Sequence, residues 1–170
     1  MIQTYKDLVF YLSQDKLSLK RKRRIKNLFD PICKFQRTLR VFEYCNNTRS
    51  VFRIFAYFRF RHLSHKYGFS IPPNVFGPGL VIGHRGPIIV TPGTKVGRNC
   101  RVNAMVQFGP SKSGSPTIGD NCYIGPGAVI LGGIVLGDNV KIGANAVVTK
   151  SFPDGNVTLI GIPATPMLVD

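Results

Sequence analysis

The apolar positions of this chain follow two different periods. In the first 70 residues they recur at three- and four-residue spacing. The stretch "DPICKFQRTLRVFEYC" sets Ile32, Phe35, Leu39 and Phe42 on what would be one helical face. "TRSVFRIFAYFRFRHLSHKYG" continues with Phe52, Phe55, Phe58 or Tyr57, and Leu63, with arginines between them. Alternation within "YFRFRHL" would also permit a strand. Both stretches are amphipathic and basic, and both read as helices. "GFSIPPNVFGPG" then ends helical structure with glycines and prolines.

From there the period is six. Blocks written from Ile118 are "IGDNCY", "IGPGAV", "ILGGIV", "LGDNVK", "IGANAV" and "VTKSFP". An aliphatic residue heads each one: Ile118, Ile124, Ile130, Leu136, Ile142 and Val148. The fifth place is small or β-branched at Cys122, Ala128, Ile134, Val140 and Ala146, and Phe152 breaks that rule. Upstream, Val90, Val96 and Val102 head blocks in the same phase, and Phe108 heads the next. Ten residues separate Phe108 from Ile118, one block plus four, so a loop is inserted near residues 109–117. Period six fits three short strands to a triangular coil, with the head residue inward and glycine or Asn-Asp corners at positive φ. One coil cannot bury its aliphatic residues, but a stack of coils buries a continuous column. The expected fold is an all-β solenoid, a parallel β-helix over residues 71–170. A short basic α-helical segment over residues 1–70 precedes it.

Counted backwards in sixes, His84 in "IGHRGP" falls where an aliphatic head is expected. Broken local rules mark functional or strained sites. A lone histidine, however, is more often a corner residue bonded to a backbone carbonyl.

Charge sharpens the division. The net charge is +15, and residues 1–70 hold 16 Lys+Arg against 4 Asp+Glu. Such a surface faces acidic partners or is simply solvated. "KRKRR", Lys20–Arg24, suits a solvated helix or a membrane-surface patch. No recognition fold or stacking platform accompanies it, so no nucleic-acid partner is expected. Cys33, Cys45, Cys100 and Cys122 form no C-x-x-C pair, which argues against a zinc ribbon. Charge interrupts the first residues, so no signal peptide is read there. No apolar run approaches the roughly 18–20 residues of a membrane span. A cytoplasmic protein, peripheral to a membrane through its basic segment, is the expectation.

The hexads, "GLVIGHRGPIIV", the loop before "PTIGDNCYIGPGAVILGGIVLGDNVKIGANAVV" and the ending "IGIPATPM" resemble hexapeptide-repeat acyltransferases. Among these the likeness is to the serine acetyltransferase-like branch, which includes capsule and exopolysaccharide enzymes. It covers about Phe69 to Met167. The resemblance implies a left-handed helix and an acetyl-CoA-dependent O-acetyltransferase. It also implies a homotrimer with active sites between subunits. His84 matches the motif histidine, the general base, and an imidazole is the side chain suited to taking a proton near neutral pH. Backbone N–H groups near Gly109 would meet the oxyanion. Gly109, Pro126 and Ala144 fall along the pantetheine track, Lys141 and Lys150 near the phosphates, and Pro163 with Ala164 at the adenine. Each of these also reads as a plain turn or solenoid residue. Asn103 and Gln107 are candidates for acceptor contact. No metal is expected: His84 is the only histidine of the repeat region, and zinc-holding hexapeptide proteins use three.

Three departures concern the acceptor. The family's loop carries a second histidine and a basic residue where this chain has Ser115 and Gly114. The residue before the motif histidine is Gly83, where serine enzymes have aspartate. The family also pairs its base with an upstream aspartate, and the matching place here, near Phe69 and Ser70, has no acid. Acetyl transfer to a hydroxyl of a cell-surface saccharide precursor or of L-serine is therefore the expected activity. A non-catalytic solenoid tethered through its basic segment is the alternative.

Overall fold

The computed structural model describes residues 1–19 and 30–167; the basic run Lys20–Arg24 lies outside them. Among the described residues three helices come first: α1 (Tyr5–Ser18), α2 (Pro31–Asn47) and α3 (Arg53–Tyr67). Local chemistry sets their starts. Thr4 and Asp7 form a reciprocal capping box on α1, and Asp30 accepts from the N–H groups of Ile32 and Cys33 ahead of Pro31.

Helix α2 buries Ile32, Phe35, Leu39 and Phe42, as their spacing predicts. Helix α3 corrects the expectation. Phe52, Phe55 and Phe58 face outward, and the buried positions are Ala56, Phe60 and Ser64. The Phe60 ring stacks on Phe42 at 5.0 Å and lies 6.0 Å from Phe35. The stretch "VFRIFAYFRF" offers apolar residues on more than one helical face. Packing against the two α2 rings chooses among them. Gly68 then ends α3 with φ 74°, a left-handed cap that glycine adopts without strain.

The solenoid begins in the next residue. Its strands are β1 (Phe69–Ser70), β2 (Val81–Ile82), β3 (Ile88–Val90), β4 (Lys95–Val96), β5 (Arg101–Val102), β6 (Val106–Gly109) and β7 (Thr117–Ile118). They continue with β8 (Tyr123–Ile124), β9 (Val129–Leu131), β10 (Val135–Leu136), β11 (Lys141–Ile142), β12 (Val147–Val148), β13 (Thr158–Gly161) and β14 (Ala164–Pro166). They stack into three faces. The first has order β1-β3-β6-β9-β12, the second β4-β7-β10 and the third β2-β5-β8-β11-β13-β14. All pairings are parallel except the closing β13–β14 hairpin. This is the left-handed parallel β-helix that the repeat and its family likeness imply.

The head residues form three buried columns, one per face. Val90, Phe108, Ile130 and Val148 make the first; Val96, Ile118 and Leu136 the second; Ile82, Val102, Ile124, Ile142 and Leu159 the third. Burying each contributes about 1.5–3 kcal/mol relative to exposure. The fifth-place residues Cys122, Ala128, Ile134, Val140 and Ala146 are buried beside them. The corner between the second and third faces carries Asn99, Asn121, Asn139 and Asn156 at φ 54°, 56°, 58° and 51°. Asparagine tolerates this region because its amide bonds locally. Here Asn99 donates to Asn121 at 3.2 Å and Asn139 to Asn156 at 2.9 Å, tying coil to coil.

Three places break the period. The inserted loop folds as a tight turn closed by two hydrogen bonds of 3.0 Å between Ser111 and Gly114. Near the end, Phe152 takes a head place against Leu136 only four residues after Val148, so the last coil is short. At the start, eight residues rather than six separate the heads Ile82 and Val90.

One buried ionic cluster holds the helices to the solenoid. The Arg40 guanidinium is fully buried, and all its N–H directions are used. Nε and Nη2 reach Asp15 at 2.8 and 3.2 Å, and Nη1 reaches Glu43 at 3.0 Å. Nη1 and Nη2 also donate to the Phe76 and Gly77 carbonyls at 2.8 and 2.7 Å. Asp15 in turn accepts from the N–H groups of Gly79 and Leu80, and Glu43 from that of Asn74. Desolvation opposes charge on Arg40, but Glu43 and Asp15 outweigh it and hold its pKa above the ordinary value. Helices α1 and α2 are thereby fixed to residues 74–80, the first coil.

Candidate active site

His84 lies in the enlarged turn between β2 and β3, exposed, and this corrects its expected place in the repeat. Ile82 is the inward head there. The two extra residues of the coil bulge outward and carry the imidazole into solvent. Helix α3 ends against the same turn. The Ile88 N–H donates to the Gly68 carbonyl at 3.1 Å, and Gly68 abuts Pro87. An open cleft results, lined by Lys66, Tyr67, His84, Arg85 and Gly86. Among the described residues no carboxylate lines it, and the Arg101 guanidinium reaches Gly83, the residue before His84, 3.2 Å from its Cβ position. Among the described residues no hydrogen bond or ion pair engages the His84 ring. A free imidazole in a cationic cleft is chemically suited to take a proton from a hydroxyl whose molecule carries negative charge.

Sequence reasoning did not find Lys66 and Tyr67. They belong to the helix, 17 or more residues before His84, and only the contact between a helix cap and a solenoid corner brings them in.

The other candidates divide between two corners and the faces. Pro126 and Ala144 sit on the His84 corner, one and two coils beyond Ala104. There the Pro126 carbonyl accepts from Asn145 and that of Ala104 from Gly127. Both candidates are exposed, and the corner runs as a continuous edge away from the cleft. Gly109, Ser115 and Lys150 lie at the opposite edge of the first face. Gly109 packs under Leu131 of the next coil, and a Cβ there would lie 2.7 Å from the Leu131 side chain. The Ser115 hydroxyl donates to the Pro92 carbonyl at 3.0 Å. Gln107 and Lys141 point outward from the first and third faces. Pro163 and Ala164 form the tip of the β13–β14 hairpin, with Pro163 exposed and Ala164 buried. Asn103 is buried, and its amide donates to the Ile124 carbonyl at 2.8 Å. Cys45, Cys100 and Cys122 are buried free thiols, none of them in the cleft.

Comparisons with known proteins fit this geometry. Residues 115–150 match the family model for the bacterial transferase hexapeptide (six repeats). No curated protein sequence matches the chain. Among solved structures, Neisseria gonorrhoeae serine acetyltransferase in complex with serine is similar with a TM-score of 0.79 and 26% identity, over 96% of this chain and 70% of that one. Brucella abortus serine acetyltransferase gives 0.77 and 28%, over 96% and 70%. The Brucella enzyme in complex with coenzyme A gives 0.81 and 26%, over 96% and 68%. Repeat and coil geometry support an acyltransferase. Its likeness is to the serine acetyltransferases.

Proposed function

We propose that the protein transfers an acetyl group from acetyl-CoA to a hydroxyl, with His84 as general base. The observation that carries the reading is the His84 turn itself: two extra residues expel an otherwise unpartnered imidazole from the coil into a cleft. Coenzyme A bound to the similar Brucella enzyme supports acetyl-CoA as donor. The base removes the hydroxyl proton as the oxygen attacks the thioester carbonyl. The tetrahedral oxyanion meets backbone N–H groups, the thiolate leaves, and protonated His84 returns the proton to it.

The donor runs along the corner edge of Pro126 and Ala144, whose backbone groups would bond the pantetheine amides. Gly109, Lys150 and Ser115 lie one sheet-width away, at the far end of the first-face strands. A threefold ring would set that edge of one protomer against the His84 corner of the next. The outward side of the first face supports such a ring: Ile89, Val129 and Val147 line it, with Gln107 between Ile89 and Val129 and with Met105 and Leu131 at its margins. That mostly apolar side suits burial.

A saccharide hydroxyl suits the cleft better than L-serine. The serine bound to the Neisseria enzyme belongs to that protein. Here Gly83, Gly114 and Ser115 stand at places where the family resemblance implies serine-holding side chains. The protein acts in the cytoplasm, where acetyl-CoA is made, with its basic helical segment against a membrane surface. The test is thiol release from acetyl-CoA with a panel of saccharide acceptors and L-serine. Release that depends on a saccharide supports the reading. Release with L-serine alone overturns the acceptor, and no acceptor-dependent release overturns the whole.

A further inference from the structure

The outward side of α3 is apolar along its first half and unpartnered. Ile54, Phe55 and Phe58 are 64%, 70% and 65% exposed, and Val51, just before the helix, is 89% exposed. At 100° per residue, Ile54, Phe55 and Phe58 fall within one ridge opposite the buried Ala56 and Phe60, and Val51 precedes them in the turn before the helix. Arg59 and Arg61 flank the ridge on its two sides, and Arg53 and Lys66 are exposed near its ends. Among the described residues no ion pair engages them. All four acids of the first 70 residues are engaged elsewhere: Asp7 and Asp30 cap helices, and Asp15 and Glu43 hold Arg40.

We propose that α3 docks on an anionic lipid bilayer, with Val51, Ile54, Phe55 and Phe58 entering the headgroup boundary and Arg59 and Arg61 pairing with lipid phosphates. An anionic bilayer satisfies both halves of this surface, because it offers acyl chains to the ridge and negative charge to its flanks. Arginine stems can lie along the ridge while their heads reach phosphate. A second copy of this chain on the same ridge fits worse, since it would set Arg59 and Arg61 against themselves. A nucleic acid offers phosphates but nothing for Val51 and Ile54. The position also has a consequence for the cleft. Helix α3 ends at Lys66 and Tyr67, so docking it holds the His84 cleft beside the membrane, within reach of a lipid-carried acceptor. The proposal deepens the membrane contact in the functional reading and needs neither acetyl-CoA nor acetyl transfer. Vesicle binding and thiol release are thus read separately.

The experiment uses the full chain and sucrose-loaded vesicles, either of phosphatidylcholine with phosphatidylglycerol in equal parts or of phosphatidylcholine alone. The chain has no tryptophan, so Phe58→Trp reports the ridge by itself. The expected result is sedimentation with the anionic vesicles only, and a blue shift of the Trp emission on mixing. Phe55→Ser/Phe58→Ser and Arg59→Glu/Arg61→Glu should each weaken partition by at least about tenfold, at unchanged circular dichroism. Absence of binding to anionic vesicles, equal binding to neutral ones, or an unshifted emission would overturn the proposal. So would full binding by the serine double variant, which would move the attraction to another basic region. Loss of oligomer mass in that variant, without vesicle binding by the parent chain, would make the ridge a contact between copies and overturn it too.

Discussion

The side-chain oxygen of Asn103 occupies the space that a Cβ at Gly83 would fill. The two residues follow the stacked heads Ile82 and Val102, and the same column continues with Gly125 and Gly143. A side chain at 83 is therefore excluded by its neighbour one coil away. The corner resembles that of the serine enzymes yet has no room for the aspartate the resemblance implies. Gly83→Ala should lower unfolding free energy by about 1–3 kcal/mol, the usual cost of overpacking. Adding Asn103→Gly should return most of it, with a coupling energy of about 0.5–3 kcal/mol in urea titrations. Independent, additive losses would show that the contact does not govern the corner.

Arg40 joins the helices to the solenoid through a cluster with no water-exposed member on its own side. Arg40→Met removes the charge and leaves Asp15 and Glu43 buried without it. The expected loss is about 3–5 kcal/mol, read as a lowered denaturation midpoint. A change under about 1 kcal/mol would mean that the two acids find other partners.

The outer side of the first face makes the ring testable. Val129→Lys/Val147→Lys places two ammonium groups on it, where a buried interface would not accept them. Light scattering should give three times the chain mass for the parent protein and one chain for the variant. A parent protein of single-chain mass, or a variant unchanged in assembly, contradicts the ring.

The donor track gives a separable kinetic prediction. Ala144→Glu sets a carboxylate on the exposed edge proposed for the pantetheine and phosphates. The KM for acetyl-CoA should rise at least about tenfold, with the KM for the acceptor little changed. Equal effects on both substrates would place Ala144 outside the donor track.

The period of six made the solenoid legible because every head residue meets the same environment, a column of other heads. It failed where a coil changes length. Counting backward in sixes put His84 on a head, whereas the enlarged turn makes Ile82 the head and turns His84 outward. Nothing within "IGHRGP" marks two added residues. They show only when Ile82 is found paired with Val102, twenty residues on. The outward Phe52, Phe55 and Phe58 were illegible for a different reason. The order of apolar residues in α3 fits several faces, and the rings of Phe35 and Phe42, distant in sequence, select one. The cleft depends on both surprises, since it lies where the end of α3 meets that lengthened turn.

The central claim rests on one ring, and one measurement addresses it. Thiol release from acetyl-CoA is followed with the best saccharide acceptor, for the parent chain and for His84→Ala. His84 is exposed and unpaired, so the substitution should leave stability unchanged within about 0.5 kcal/mol. Loss of a general base predicts a fall in kcat of about 10²–10⁴-fold. A variant that folds alike and releases thiol at the parent rate would contradict the assignment of His84 as the base.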